Sequence, residues 1–293
     1  MKPNRAFLAF VVALIAAVMF SFPLAAQSTS PARDRLRIVD STKIQILTVR
    51  DGSSLIGRIV SVSADTLQFQ AGVGRVPVAL RDIRDIRETD SRRMRNGQYW
   101  FPNPNTTRLF FAPTGQMLKK GEGYFADYAL FFPGVAYGVT DNISIGGGVS
   151  IFPTGLDNQV YYSTPKVGMS FGEQIHLAAG LLLAGTSGGT GGVGYGVGTL
   201  GDGDRSVTFG LGYGFAGGEI ENKPVAMVGG EKRVSRRVAL VTENYLLPVS
   251  TERMIYSFGI RLMGEKITTD LALVNQSGSG IIGFPYVDFV FKF

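Results

Sequence analysis

The sequence predicts an all-β protein: a transmembrane, antiparallel up-and-down β-barrel of about twelve strands, preceded by a small five-stranded module. Three observations predict it. Of the 39 glycines, five precede Phe101 and 34 follow it, and glycine costs a helix about 1 kcal/mol per position. From Arg108 onward, segments of about ten residues alternate apolar with small or polar side chains, the length at which a tilted strand crosses a bilayer. The last ten residues, Phe284 to Phe293, alternate in the same way. Pro285, Val287, Phe289, Phe291 and Phe293 share one parity, and Tyr286, Asp288 and Lys292 share the other.

The first element is Met1 to Ala26. Its basic start (Lys2, Arg5), apolar run from Ala6 to Phe20, and Pro23-Leu24-Ala25-Ala26 before Gln27 read as a secretory signal peptide cleaved after Ala26. The run is shorter than the roughly 20 residues of a spanning helix. Residues 27–34 read as a flexible mature start. Beyond Ala26 no apolar run approaches 18 residues, so helical spans are excluded, although mean hydropathy is slightly positive. The absence of cysteine removes both disulfides and the lipidation site of a bacterial lipoprotein. Loss of Lys2 and Arg5 lowers the formal charge from +6 to +4, too little to argue for a nucleic-acid partner.

Residues 35–88 form the second element. Short apolar runs at Ile44 to Val49, Leu55 to Val62, Thr66 to Phe69, Val76 to Leu80 and Ile83 to Ile86 are separated by turns at Asp51-Gly52, Ala64-Asp65 and Gly72-Val73-Gly74. The stretch Val49 to Ile59 resembles the first two strands of the Sm-like small barrel, and Val76 to Ile86 its closing pair. That resemblance implies a closed five-stranded barrel. The Asn-bearing loop after strand two and the Arg-Gly after strand four of that family are missing at matching positions, so RNA binding does not carry over. The module reads instead as an accessory periplasmic domain that pairs with itself, with the barrel rim, or with an envelope partner. Residues 89–105 read as a linker. Its basic stretch Arg92-Arg93-Met94-Arg95 is either solvated or set against lipid headgroups, and Tyr99-Trp100-Phe101 suit an interfacial aromatic belt.

Residues 106–293 are read as the barrel. In Ser206 to Phe215, Val207, Phe209, Leu211, Tyr213 and Phe215 share one face, and Thr208, Gly210, Gly212 and Gly214 the other. Ile143 to Ile151 and Arg253 to Leu262 repeat the pattern. Outer-membrane barrels keep short turns on the periplasmic side and longer loops outside. Short turns are expected at Thr140 to Asn142, Gly172 to Gln174, Gly201 to Asp204, Val234 to Arg236 and Gly264 to Lys266. Longer breaks fall near Gly115 to Gly121, Pro153 to Asn158, Gly185 to Thr190, Ala216 to Lys223, Pro248 to Thr251 and Asn275 to Gly280. These count twelve strands, the first beginning near Arg108 and closing against the last. The long segment Tyr124 to Val139, with Pro133 inside it, leaves ten or fourteen open.

The terminal strand resembles the C-terminal signature of bacterial outer-membrane β-barrels. The resemblance implies that Val287, Phe289, Phe291 and Phe293 form an assembly signal read by the barrel-assembly machinery, with periplasmic chaperones and outer-membrane lipids as the other partners.

Charges on a lipid face cost about 2–4 kcal/mol near the midplane, which places Arg108, Asp127, Lys166, Glu243, Arg253, Arg261, Asp270, Asp288 and Lys292 in the lumen. There they either line a wet pore or pair into a polar plug, since twelve strands lie between a filled and an open barrel. Gly196 to Gly201 spells GxGxxG, but a strand rather than a helix follows it. The glycines at 192, 194, 196 and 198 and at 210, 212 and 214 are expected to form one small-residue face. Asp202 and Asp204 read as a hydrated hairpin turn. His176, the only histidine, takes the lumen parity near a short turn, and no catalytic or metal site and no cofactor is expected. The leading functional expectation is a narrow porin-like channel for small solutes through a Gly-rich polar lumen. A non-conducting scaffold anchoring the periplasmic domain is the alternative, and an outer-membrane enzyme ranks third.

Overall fold

The computed structural model describes residues 36–153, 155, 158–247, 253–278 and 283–293. The expected signal peptide and the 27–34 segment lie outside the described residues. The chain divides into two units, with the boundary between Phe101 and Pro102.

The N-terminal unit is an antiparallel sheet of β1 (Lys43–Val49), β2 (Ser54–Val62), β3 (Thr66–Ala71), β4 (Gly74–Ala79) and β5 (Ile83–Asp90), in the order β4-β3-β2-β1-β5. A single 3-10 turn, Leu80–Asp82, joins β4 to β5. The five strands coincide with the five apolar runs, because their alternate side chains meet in one core: Leu47, Ile59, Leu67, Phe69, Ile83 and Ile86 are all at most 5% exposed. Among the described residues no ladder joins β4 to β5, so five strands are present without a continuous hydrogen-bonded ring.

One buried polar side chain supports this core. β2 shifts register between Ile59 and Ser61, and Gln45 Oε1 accepts from Ile59 N at 2.9 Å while Gln45 Nε2 donates to Arg37 O at 2.8 Å. The bulge is thereby satisfied without water. Arg37 also donates to both oxygens of Glu88, at 2.6 and 2.8 Å, which holds the Glu88 carboxyl below its usual range. Leu47 is fully buried. Leu47→Ala is expected to destabilise this unit by about 2–5 kcal/mol, seen as lost hydrogen-exchange protection in β1 and β5.

Beyond β5 the chain forms a 3-10 turn, Ser91–Arg93, and a hairpin of β6 (Met94–Arg95) and β7 (Gln98–Tyr99). Asn96 and Gly97 form its turn at φ 50° and 73°, the positive pair that a two-residue hairpin demands.

The second unit is a closed antiparallel barrel. Its strands are β8 (Gly123–Tyr128), β9 (Phe132–Gly138), β10 (Ile143–Val149), β11 (Tyr161–Ser163), β12 (Lys166–Phe171), β13 (Ile175–Thr186), β14 (Gly189–Gly201), β15 (Arg205–Ala216), β16 (Glu219–Ile220), β17 (Val225–Ser235), β18 (Val238–Leu247), β19 (Arg253–Met263), β20 (Ile267–Gln276) and β21 (Phe284–Lys292). β11 and β12 are one wall strand interrupted at Thr164-Pro165, where proline has no N–H for the ladder; both pair with β10 and β13. β16 pairs only with β15. The wall therefore has twelve strands, and β21 pairs with β8 to close it.

The five short turns fall where the sequence places them, but the first wall strand does not. The terminal strand closes against Gly123–Tyr128, and the segment around Arg108 is not part of the wall. One expected strand is lost there. A second is gained because Tyr124 to Val139 is a hairpin, turning at Ala129 and Leu130 with φ of 53° and 64°. Neither is a residue that favours positive φ, so composition does not mark the turn.

The outer face of the wall is apolar: Phe209, Leu211, Tyr213, Phe258 and Phe291 are 47–58% exposed, while their sequence neighbours face the interior. The glycines do not share one face. Register sets Gly194, Gly196 and Gly198 opposite Tyr213, Leu211 and Phe209 on the outer face, and Gly210, Gly212 and Gly214 opposite Val197, Tyr195 and Val193 on the inner one. Each of these six glycines thus lies beside a large cross-strand partner rather than another glycine.

Candidate functional site in the barrel lumen

Residues 102–122 enter the lumen, turn, and return. The bridge Arg108↔Pro113 and the bonds Leu109 N to Ala112 O (2.9 Å) and Thr114 N to Thr107 O (3.0 Å) make a tight hairpin with Phe110 and Phe111 at its tip. Both of its feet lie at the short-turn end of the barrel. Asn103 Nδ2 donates to Gly203 O (2.9 Å) in the β14–β15 turn, and Lys120 N donates to Asp141 Oδ1 (2.9 Å) in the β9–β10 turn.

Lumen side chains of the wall grip this hairpin through its backbone. Arg261 uses all five donors. Nε and Nη2 donate to the two oxygens of Asp270, each at 2.7 Å, and Nη1 donates to Glu231 Oε2 at 2.6 Å. The remaining two bonds reach the hairpin, at Asn105 O (2.8 Å) and Leu109 O (2.7 Å). Glu243 Oε2 accepts from Phe111 N and Ala112 N, both at 2.9 Å, and its Oε1 accepts from the Tyr245 hydroxyl at 2.7 Å. Lys166 Nζ donates to Gln116 O (2.8 Å), Thr114 O (3.2 Å) and Thr107 O (3.3 Å). Gly115 N donates to Thr199 Oγ1 at 2.8 Å, which bonds Thr208 in turn. A loop inside a barrel must satisfy its own peptide groups, and charged side chains do so with bonds stronger than neutral ones.

Shape reinforces the grip. A side chain at Gly229 would collide with Leu109, and one at Gly115 with the His176 carbonyl. The lumen is filled around these contacts: Arg261, Asp270, Asp288, Thr199, Thr208 and Thr268 all have 0% exposure.

Arg108, on the hairpin itself, is 3% exposed. Its Nη1 donates to Asp288 Oδ2 at 2.7 Å and also to Phe110 O, and its guanidinium stacks 4.4 Å from the Tyr128 ring centroid. The Tyr286 hydroxyl bonds Asp288 Oδ2 (2.9 Å) and Phe110 O (3.0 Å).

Of the residues expected in the lumen, Arg108, Lys166, Glu243, Arg261, Asp270 and Asp288 converge there. Lys292 takes the inner parity at the short-turn rim and pairs with Glu122 at 3.1 Å. The side chain of Arg253 lies outside the described residues. Asp127 is a correction: it lies opposite Phe289 and shares the parity of exposed Phe125, so it is on the outer face. It precedes Tyr128, the last residue of β8, beside the Ala129-Leu130 turn.

Glu231 and Arg233 were not singled out by the sequence. They share the inner parity of β17 with Met227 and Gly229, but the run Glu231-Lys232-Arg233 hides the alternation. His176 bonds the Ser170 hydroxyl through Nδ1 (2.7 Å) and Gly201 O through Nε2 (3.2 Å). Asp202 Oδ1 accepts from Asp204 N and Arg205 N, which makes a hairpin turn.

From alongside the hairpin stem to beyond its tip, the lumen keeps a cavity of about 360 Å³. Its walls include Leu182, Val193, Tyr195, Val197, Met227 and Tyr245, with Arg108 and Lys166 among the few charged groups that border it. The expected Gly-rich polar lumen is therefore corrected twice: its polar part is filled, and its vacant part is mainly apolar.

No family model and no curated protein matches the chain. Among solved structures it is similar to a KdgM porin in complex with disordered oligogalacturonate (8% identity, 58% of this chain and 95% of that one, TM-score 0.43) and to a NanC porin (10%, 58% and 97%, 0.40). A loop L8 deletion mutant of OmpT, an outer membrane protein of Vibrio cholerae, is also similar (13%, 86% and 97%, 0.34). What this chain has in its own right is the twelve-stranded antiparallel barrel, closed by its terminal strand, with a hairpin inside.

Proposed function

We propose that this chain is an outer-membrane, porin-like barrel whose conduit for small solutes is held shut by its own hairpin, residues 102–122. The observation that carries this reading is the full burial of Arg261, Asp270, Thr199, Thr208 and Thr268, lumen side chains that the hairpin covers or that pack beneath it. The apolar outer face supports membrane insertion, since a strand wall with exposed Phe209, Leu211 and Phe258 suits lipid better than water. The strength of the anchorage also favours the second reading, a scaffold that never opens. Neither reading assigns the barrel a catalytic role.

The same proposal treats residues 35–88 as an Sm-like periplasmic domain with an envelope partner, and Val287, Phe289, Phe291 and Phe293 as the assembly signal. Phe293 supports the latter by sealing the seam: its N–H donates to Gly123 O at 2.9 Å and its C=O accepts from Gly123 N at 3.2 Å.

Planar-bilayer recording tests the conduit. The refolded full chain is expected to stay closed, and a variant lacking residues 103–118 to conduct in steady steps. Steady conductance by the intact chain would remove the closed-barrel reading. A silent deletion variant that still shows heat-modifiable gel mobility would leave only the scaffold.

A further inference from the structure

We propose that the cavity beside the hairpin is a binding site for a monoanionic amphiphile, a molecule with an apolar body and a carboxylate head that pairs with Arg108. At about 360 Å³ the cavity lies within the range of about 300–1,000 Å³ typical of small-molecule sites. Such sites combine apolar walls with a few polar groups that set orientation. Here the walls are Leu182, Val193, Val197 and Met227 together with tyrosine rings. The hydroxyl of Tyr245 is turned to Glu243 and that of Tyr162 to Phe132 O, so these two residues present rings rather than donors to the space.

Arg108 supplies the polar end. Nη1 is engaged by Asp288 and Phe110 O, but Nε and Nη2, both fully buried, have no hydrogen-bond partner. These two nitrogens form one whole edge of the guanidinium fork. That edge matches the two oxygens of a carboxylate in a bidentate pair. Leaving two buried donors unpaired is costly, and the residue borders the cavity, so a ligand carboxylate that displaces the groups now closing over this edge would satisfy both. Lys166 borders the same cavity, but its three donors are taken by Thr107 O, Thr114 O and Gln116 O, which leaves Arg108 as the group with donors to offer. The stacking of Arg108 on Tyr128 holds the guanidinium plane in place. A neutral hydrocarbon would leave the fork unpaired. A sugar acid would leave the apolar wall unmatched. The inference holds whether or not the barrel conducts, because its readout is binding.

Laurate is the probe, with methyl laurate and dodecyl phosphate as the other arms, titrated against the refolded full chain and followed by quenching of intrinsic tyrosine fluorescence. Laurate is expected to bind saturably and methyl laurate about ten- to hundredfold more weakly, the loss of one charge-assisted pair. Dodecyl phosphate that binds more tightly than laurate would reassign the head group and overturn the carboxylate. Arg108→Gln is expected to reduce laurate affinity to that of the ester, with Arg108→Lys intermediate because it keeps the charge and loses the fork. Since Arg108 also helps anchor the hairpin, Leu182→Trp provides a separate check: it fills the cavity from the wall and is expected to abolish binding of both acid and ester. Equal affinity for laurate and its ester, or laurate affinity unchanged in Leu182→Trp, overturns the proposal.

Discussion

Replacing Arg261 by alanine is expected to lower the stability of the folded barrel by about 3–5 kcal/mol, the cost of breaking a buried ion pair from one side. The effect should lie at the upper end, because one guanidinium answers Asp270, Glu231 and two carbonyls of the hairpin at 0% exposure. Its removal leaves two carboxylates facing each other in a space that water does not enter. Urea unfolding in lipid vesicles measures the loss. The triple variant Arg261→Met, Asp270→Asn, Glu231→Gln removes the charges together and is expected to recover a large part of it, since neutral partners can be close in stability to a buried ionic cluster. A drop under about 1 kcal/mol for Arg261→Ala, the size of an exposed pair, would mean that water enters this part of the lumen and that the hairpin does not fill it.

Leu211→Arg is the second large effect. Leu211 lies midway along β15, 58% exposed, between Phe209 and Tyr213 on the outer face. A cation there is expected to cost about 2–4 kcal/mol if that face contacts hydrocarbon, and close to nothing if it contacts water. Refolding equilibria in vesicles measure the difference. Because the Leu211 side chain points outward, away from the groups that anchor the hairpin, the closed state of the barrel should persist in the folded fraction. A neutral result would sink the outer-membrane assignment itself, independently of what the lumen does.

These two substitutions also mark what was legible in the chain. The wall was legible, because lipid on one side and a lumen on the other impose strict alternation, and β15 carries it without a break. Four of the five short turns were marked by Gly, Asp or Asn, and the fifth, Val234 to Arg236, by the break in apolar alternation. The lumen charges were legible through parity, and Arg261, Asp270 and Asp288 lie where alternation puts them. The hairpin was not legible. Arg108 to Thr114 has the apolar content of a strand, and only the tertiary demand of Arg261, Glu243 and Lys166 for backbone partners shows that it fills the barrel rather than joins the wall. Asp127 takes the outer parity of β8 with Phe125, against the inner face expected of it. The glycines were misread because a face is assigned strand by strand, whereas cross-strand register decides which residues sit opposite.

The seam between Phe293 and Gly123 has a consequence for the order in which the molecule forms. The wall closes only when β21 pairs with β8, so no ring exists until both of these strands have been made. The pairing spans most of the unit's length, and such distant pairings are slow to form. The hairpin, by contrast, precedes every wall strand in the chain. Its Arg108 binds Asp288 of the closing strand, and its backbone is bonded by β12, β14, β18 and β19 before that. A form on which the wall can be wound is thus emitted first, and the strand that completes the cylinder carries the carboxylate that reports the form is in place.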